Sequence, residues 1–109
     1  MADYSVNING PAMRDLRGIY RYFSERLLTP ATASRIVQGL EDAIRELSWM
    51  PERFRLVDDN AVLASMGFRR MIVKKYIVFF IIEEAENKVS VERIIHGARD
   101  WHRILSEEQ

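Results

Sequence analysis

FRRMIVKKYIVFFIIEEAENKVSVERIIHGAR, residues 68–99, holds most of the strand-forming side chains of this chain. Its middle, YIVFFII at residues 76–82, is seven consecutive apolar residues, each aromatic or β-branched. That is the composition of a strand covered on both faces rather than one half open to water. Residues 69–73 before it and 89–95 after it are set off by short polar connectors. Three strands in an antiparallel meander, with residues 76–82 at the centre, are therefore expected. The last strand runs into Gly97, where glycine permits a left-handed turn, and on into the basic and aromatic segment 98–105.

Upstream, Tyr4, Val6 and Ile8 alternate with Ser5, Asn7 and Asn9, the period of a strand with one buried face. Gly10-Pro11 ends it, and a place at the sheet edge is expected. Met13, Leu16, Ile19, Tyr20, Phe23 and Leu27 then fall three or four apart, which aligns them along one side of a helix, with Pro11 suited to its first turn. Thr29-Pro30 interrupts the pattern, and Thr29 or Thr32 can cap a second helix carrying Ile36, Val37, Leu40, Ala43, Ile44 and Leu47. So short a link forces the two helices to pack antiparallel. Pro51 stops the second helix, and residues 51–67 read as a long loop with one helical turn around residues 60–66. The expected fold is α+β in the order β-α-α-β-β-β, a single domain over residues 1–109. An antiparallel sheet is covered on one face by the helical hairpin and followed by a short C-terminal segment.

Composition narrows the function. At 109 residues the chain builds one core and leaves no room for a second. Sixteen Lys and Arg balance sixteen Asp and Glu, so only the distribution of charge informs on partners. Arg69, Arg70, Lys74 and Lys75 crowd together, whereas Glu83, Glu84 and Glu86 make the next connector acidic, so one end of the sheet is expected to be basic. With no cysteine, disulfides and thiolate metal sites are excluded. Two histidines six residues apart do not make a metal site, and Gly67 and Gly97 are isolated, so neither a metal nor a nucleotide cofactor is expected. No basic-then-apolar leader opens the chain, and no apolar run reaches the ~18 residues of a membrane span. A soluble cytoplasmic protein without a membrane partner is the expectation.

Several features together resemble the RelE/ParE superfamily of bacterial toxins from type II toxin–antitoxin pairs. They are the strand and long helical hairpin, Pro51-Glu52-Arg53 after the second helix, Arg69-Arg70 entering a strand, and IIHGARD at residues 94–100. The last motif is similar to the ParE branch. That resemblance implies a poison of DNA gyrase, neutralised by a cognate antitoxin whose C-terminal segment folds across the helices and sheet. The alternative it implies is a RelE-like endonuclease that cuts messenger RNA on the ribosome without a metal. RelE-type members carry a Tyr-Arg pair where this chain has Tyr76-Ile77, and no tyrosine lies beyond Tyr76, so the departures favour the ParE-type reading.

The candidate residues follow from the resemblance and from their chemistry. Target binding falls to Arg69, Arg70, Arg93, His96, Arg99 and Trp101. If the protein is a nuclease, Arg69, Arg70, His96 and Arg99 would activate the 2′-hydroxyl and stabilise the phosphorane. Antitoxin binding falls to Leu16, Ile19, Tyr20, Phe23, Ile36 and Leu40. Each has a plainer role to weigh against it. Arg69 and Arg70 alternate to opposite sides of a strand, Lys74 and Lys75 suit a solvated turn, and His96 can hold the tail turn by a hydrogen bond. Arg99 can pair with Asp100, Trp101 can cover an open core edge, and the helix stripe is what a core needs.

Overall fold

The computed structural model describes residues 3–107. Strand β1 is Ser5–Ile8, helix α1 Gly10–Arg21, α2 Pro30–Arg45 and α3 Ala61–Met66. Strands β2 (Arg69–Val73), β3 (Tyr76–Glu83) and β4 (Lys88–His96) follow, and α4 (Trp101–Glu107) ends the described chain. Glu108 and Gln109, the close of the polar terminus, lie outside the described residues.

The sheet order is β1-β4-β3-β2, with β3 bonded to a strand on each side as its composition demands. The meander is antiparallel as expected, pairing Met71 with Val78 and Val78 with Ile94. Strand β1 also lies at an edge, but it joins β4 in parallel, Ser5 opposite Lys88 and Ile8 opposite Val91, so the whole sheet is mixed. The chain path explains the sense. The hairpin of α1 and α2 returns to the end where β1 began, and there Tyr4 N–H donates to Ser48 O at 2.8 Å. Strand β2 must then start from that end and run in the direction of β1, and two hairpins leave β4 parallel to both.

The local signals hold with three adjustments. Asn9 caps α1 by accepting from Ala12 N–H at 3.0 Å, and Pro11 sits in the first turn. Thr29 is the residue before α2, yet its hydroxyl donates to Phe23 O at 2.9 Å and makes no side-chain cap. It closes a π-helical turn, Tyr22–Arg26, that widens the end of the first helix. Gly97 is not left-handed; Gly67, with φ 78°, is, and it terminates α3.

Both faces of the sheet are covered, as the composition of residues 76–82 requires: the helical hairpin lies on one face, and the loop after α2 together with α3 and α4 lies on the other. Leu16, Leu40, Ile44 and Leu47 pack on Met71, Val78, Phe80, Val91 and Ile94 on the first face. On the other, Val57, Leu63, Phe68, Trp101 and Leu105 pack on Ile77, Phe79 and Ile95. The segment after Gly97 is therefore a core helix, α4, because Trp101 and Leu105 stand four residues apart and share a side. Each fully buried Phe or Leu contributes about 1.5–3 kcal/mol, so the second cluster is a substantial part of the fold.

A bulge in β4 positions the remaining edge. Phe79 pairs with Arg93 but Phe80 with Val91, leaving Glu92 as the extra residue. Beyond Val91 strand β1 has ended, and α1 takes over the edge. Asp15 accepts from Ile94 N–H at 2.8 Å and from Arg93 Nε and Nη2 at 2.8 and 3.1 Å. One carboxylate thus closes an edge amide and anchors a guanidinium.

Candidate functional site

The exposed features gather at the end of the sheet where the β2–β3 turn meets the end of β4. Lys74 takes φ 55°, which lets the chain reverse within Lys74-Lys75. Lys75 O then accepts from Gly97 N–H at 2.8 Å, pinning the start of the tail to that turn. Gly97 sits close, since a Cβ there would lie 3.5 Å from Lys75 O and 3.8 Å from Ile77 Cδ1. His96 stands edge-on to Tyr76, ring centres 5.3 Å apart, and its Nδ1 accepts from Ala98 N–H at 3.1 Å. Burial raises the Tyr76 hydroxyl above its usual pKa, with the neighbouring Tyr22 adding to the effect.

A shallow depression of about 310 Å³ opens here, floored by Ile72, Ile77 and Gly97 and rimmed by Lys74, Lys75 and His96. Ile72 is 70% exposed. Arg99 follows two residues after Gly97 and is exposed, and its side chain has no partner among the described residues. Two lysines on the rim of an apolar floor, with Arg99 three residues beyond His96, suit an anionic protein or nucleic-acid surface that also offers an apolar contact.

The structure separates the other predicted cations. Arg69 and Arg70 leave opposite sides of β2. Arg69 Nη1 donates to Phe54 O at 2.7 Å and Glu52 O at 3.2 Å, tying the loop after α2 to the sheet. Arg70 lies on the other side, 3.7 Å from Asp59, with its guanidinium 5.6 Å from the centre of the Trp101 ring. Arg93 is held by Asp15, the two side chains only 13% and 16% exposed. Trp101 is 8% exposed and packs on Phe79 at 5.1 Å between ring centres. Arg69, Arg70, Arg93 and Trp101 are therefore each engaged in contacts within the fold. His96 and Arg99 are the predicted residues that reach the tip.

The predicted antitoxin set divides in the same way. Leu16 and Leu40 face the sheet, 4% and 1% exposed, and have no surface to offer a partner. Ile19, Phe23 and Ile36 are half-buried, and Tyr20 is 41% exposed. The sequence reading missed the end of the hairpin, where Tyr22, Leu27 and Leu28 are open to solvent, Leu28 with φ 54°. The signal was present: Leu27-Leu28 sits directly before Thr29-Pro30, where no helix can turn both inward.

It also missed a link between the long loop and the tail. His102 Nε2 lies 3.0 Å from Asp59 Oδ2, and this hydrogen bond, reinforced by Arg70, holds the Asp59 carboxyl below its usual pKa. Forty-three residues separate the pair, beyond the reach of any local pattern. Among the described residues no group of His, Cys, Asp and Glu is placed to hold a metal, and no helix is long and apolar enough to cross a membrane.

Comparison with known proteins bears on this arrangement. No curated protein matches the sequence. The solved chromosomal ParDE toxin–antitoxin system from P. aeruginosa has a similar fold, with a TM-score of 0.70 at 18% identity over 85% of this chain and 95% of that one. A RelBE toxin–antitoxin complex from Mycobacterium tuberculosis gives 0.66 at 21% identity over 86% and 98%. A mutant of the E. coli toxin RelE in the free state gives 0.62 at 11% identity over 99% and 97%. A family model, the ParE toxin of the type II toxin–antitoxin system parDE, matches residues 6–101, from the first strand to the start of α4. That span takes in all of the sheet but Ser5 and both helices of the hairpin, and the chain belongs to the ParE toxin family of type II toxin–antitoxin systems.

Proposed function

We propose that this protein poisons DNA gyrase by binding it, with the tip formed by Lys74, Lys75, His96 and Arg99 as the contact surface. The observation that carries the reading is the family match over residues 6–101 in a chain whose tip cations are spared from internal contacts. Arg69, Arg70 and Arg93, by contrast, are all engaged within the fold. Binding as the mode of action is supported by the same geometry. The four residues of the nuclease alternative do not converge, since Arg69 and Arg70 point to opposite sides of the sheet and cannot surround one phosphate with His96 and Arg99.

A cognate antitoxin is the second partner. Its segment would lie along the helical hairpin against Ile19, Tyr20, Phe23 and Ile36, extended to the exposed Tyr22, Leu27 and Leu28. Amphipathic helices are recognised in this way through apolar anchors one turn apart. The solved relatives from P. aeruginosa and M. tuberculosis are themselves parts of toxin–antitoxin systems, which supports the pairing. Plasmid supercoiling by purified gyrase, with the protein added, tests the reading. Inhibited gyrase or accumulated cleavage complexes are the expected result. Codon-spaced cuts in messenger RNA after induction, with gyrase unaffected, would overturn it in favour of the endonuclease.

A further inference from the structure

Helix α1 carries a second charged surface that the tip does not use. Arg14, Arg17 and Arg21 are all exposed, and among the described residues none has a hydrogen-bond or ion-pair partner. At ~100° per residue they fall within a ~60° arc, diametrically opposite the side that buries Ala12 and Leu16. Folding does not call for this arrangement. Arg14 and Arg17, three apart, and Arg17 and Arg21, four apart, are like-charge neighbours that mildly destabilise a helix. The first turn of α1 also has no acidic residue to complement its dipole. Asp15, the one carboxylate among them, is turned away and held by Arg93.

We propose that this arginine stripe binds the phosphate backbone of duplex DNA. The chemistry selects the partner. A docked protein helix would need apolar anchors at helical spacing, and the outward side of α1 presents Arg14, Arg17, Gly18 and Arg21 instead. From Arg14 to Arg21 the helix rises ~10 Å, and a duplex carries one phosphate charge per ~1.7 Å of its axis. Three guanidinium groups can therefore reach three separate phosphates, and each is suited to grip one bidentately. Because the contacts are to phosphates and not to base edges, the binding is independent of sequence. It goes beyond the gyrase reading and stands or falls without it, because DNA alone is the ligand.

The test is fluorescence anisotropy of the full-length protein with a labelled duplex of arbitrary sequence, repeated from low to moderate salt. Arg17→Gln/Arg21→Gln is compared with Arg45→Gln/Arg103→Gln, which removes equal charge from arginines engaged in ion pairs with Asp42 and Asp100 elsewhere. Each phosphate contact contributes ~0.9 to the slope of log affinity on log salt, so the stripe variant should lower that slope by ~1.8. The control should leave it unchanged. Absence of duplex binding by the unmodified protein at low salt overturns the proposal, as does an equal loss in both variants, which would mean diffuse attraction. So does a stripe variant that binds DNA normally but loses affinity for a poly-glutamate peptide, which would make the partner an acidic protein segment. A thermal melt of each variant confirms that the fold is retained.

Discussion

Asp15 is the residue whose removal should be felt most widely for its size. It accepts three hydrogen bonds, two from Arg93 and one from Ile94 N–H, and with 16% of its side chain exposed it is largely shielded from water. In Asp15→Ala the edge amide of Ile94 loses its acceptor and the Arg93 guanidinium loses its carboxylate. Breaking a buried ion pair from one side costs about 3–5 kcal/mol, and the residual exposure here brings the expectation to about 2–4 kcal/mol. For a domain of this size that is a fall in Tm of roughly 8–16 °C. Urea unfolding of Asp15→Ala, Arg93→Met and the double variant completes a cycle, in which a coupling of at least ~1 kcal/mol is expected for residues in direct contact. A loss below ~1 kcal/mol, or a coupling near zero, would refute the view that α1 is fastened to the bulged end of β4 through this carboxylate.

Three further outcomes are expected. Trp101→Ala should cost about 3–5 kcal/mol in chemical denaturation, because the indole fills the second core against Phe79; a nearly neutral effect on stability with a loss of toxicity would return Trp101 to the target surface. Arg99→Ala should lower growth inhibition while changing stability by less than ~0.5 kcal/mol, as befits a surface side chain, and an equal loss of both would make Arg99 structural. Asp59 has a depressed pKa in the folded state, so its contribution is complete above the ordinary value of 3.8 and is lost as pH falls through the folded value. Asp59→Asn should therefore destabilise the protein at pH 7 more than at pH 3, as unfolding curves at the two pH values would reveal.

The fold was legible where one residue type has one use. Seven β-branched and aromatic residues at 76–82 admit only a strand covered on both sides, and the spacing of Leu16, Ile19 and Phe23 admits only a helix laid on a core. The tail was read less well, because Trp101 and Leu105 are a single apolar pair, too short a pattern to distinguish a core helix from a covered terminus. For the candidate site, the sequence named His96 and Arg99, which the fold carries to the end of the sheet, but it could not tell arginines with internal partners from those without. Arg69, Arg70 and Arg93 look alike in sequence, and their acceptors lie in distant segments: Phe54 O, Asp59 and Asp15.

Sequence by itself determined the elements and the faces they bury, because apolar spacing is a local property that each segment carries alone. The tertiary structure decided the parallel entry of β1, the second core beneath α4 and the division of the arginines between scaffold and surface. Those outcomes depend on which groups meet across long stretches of chain. A charge becomes available to a partner only when the fold leaves it without one.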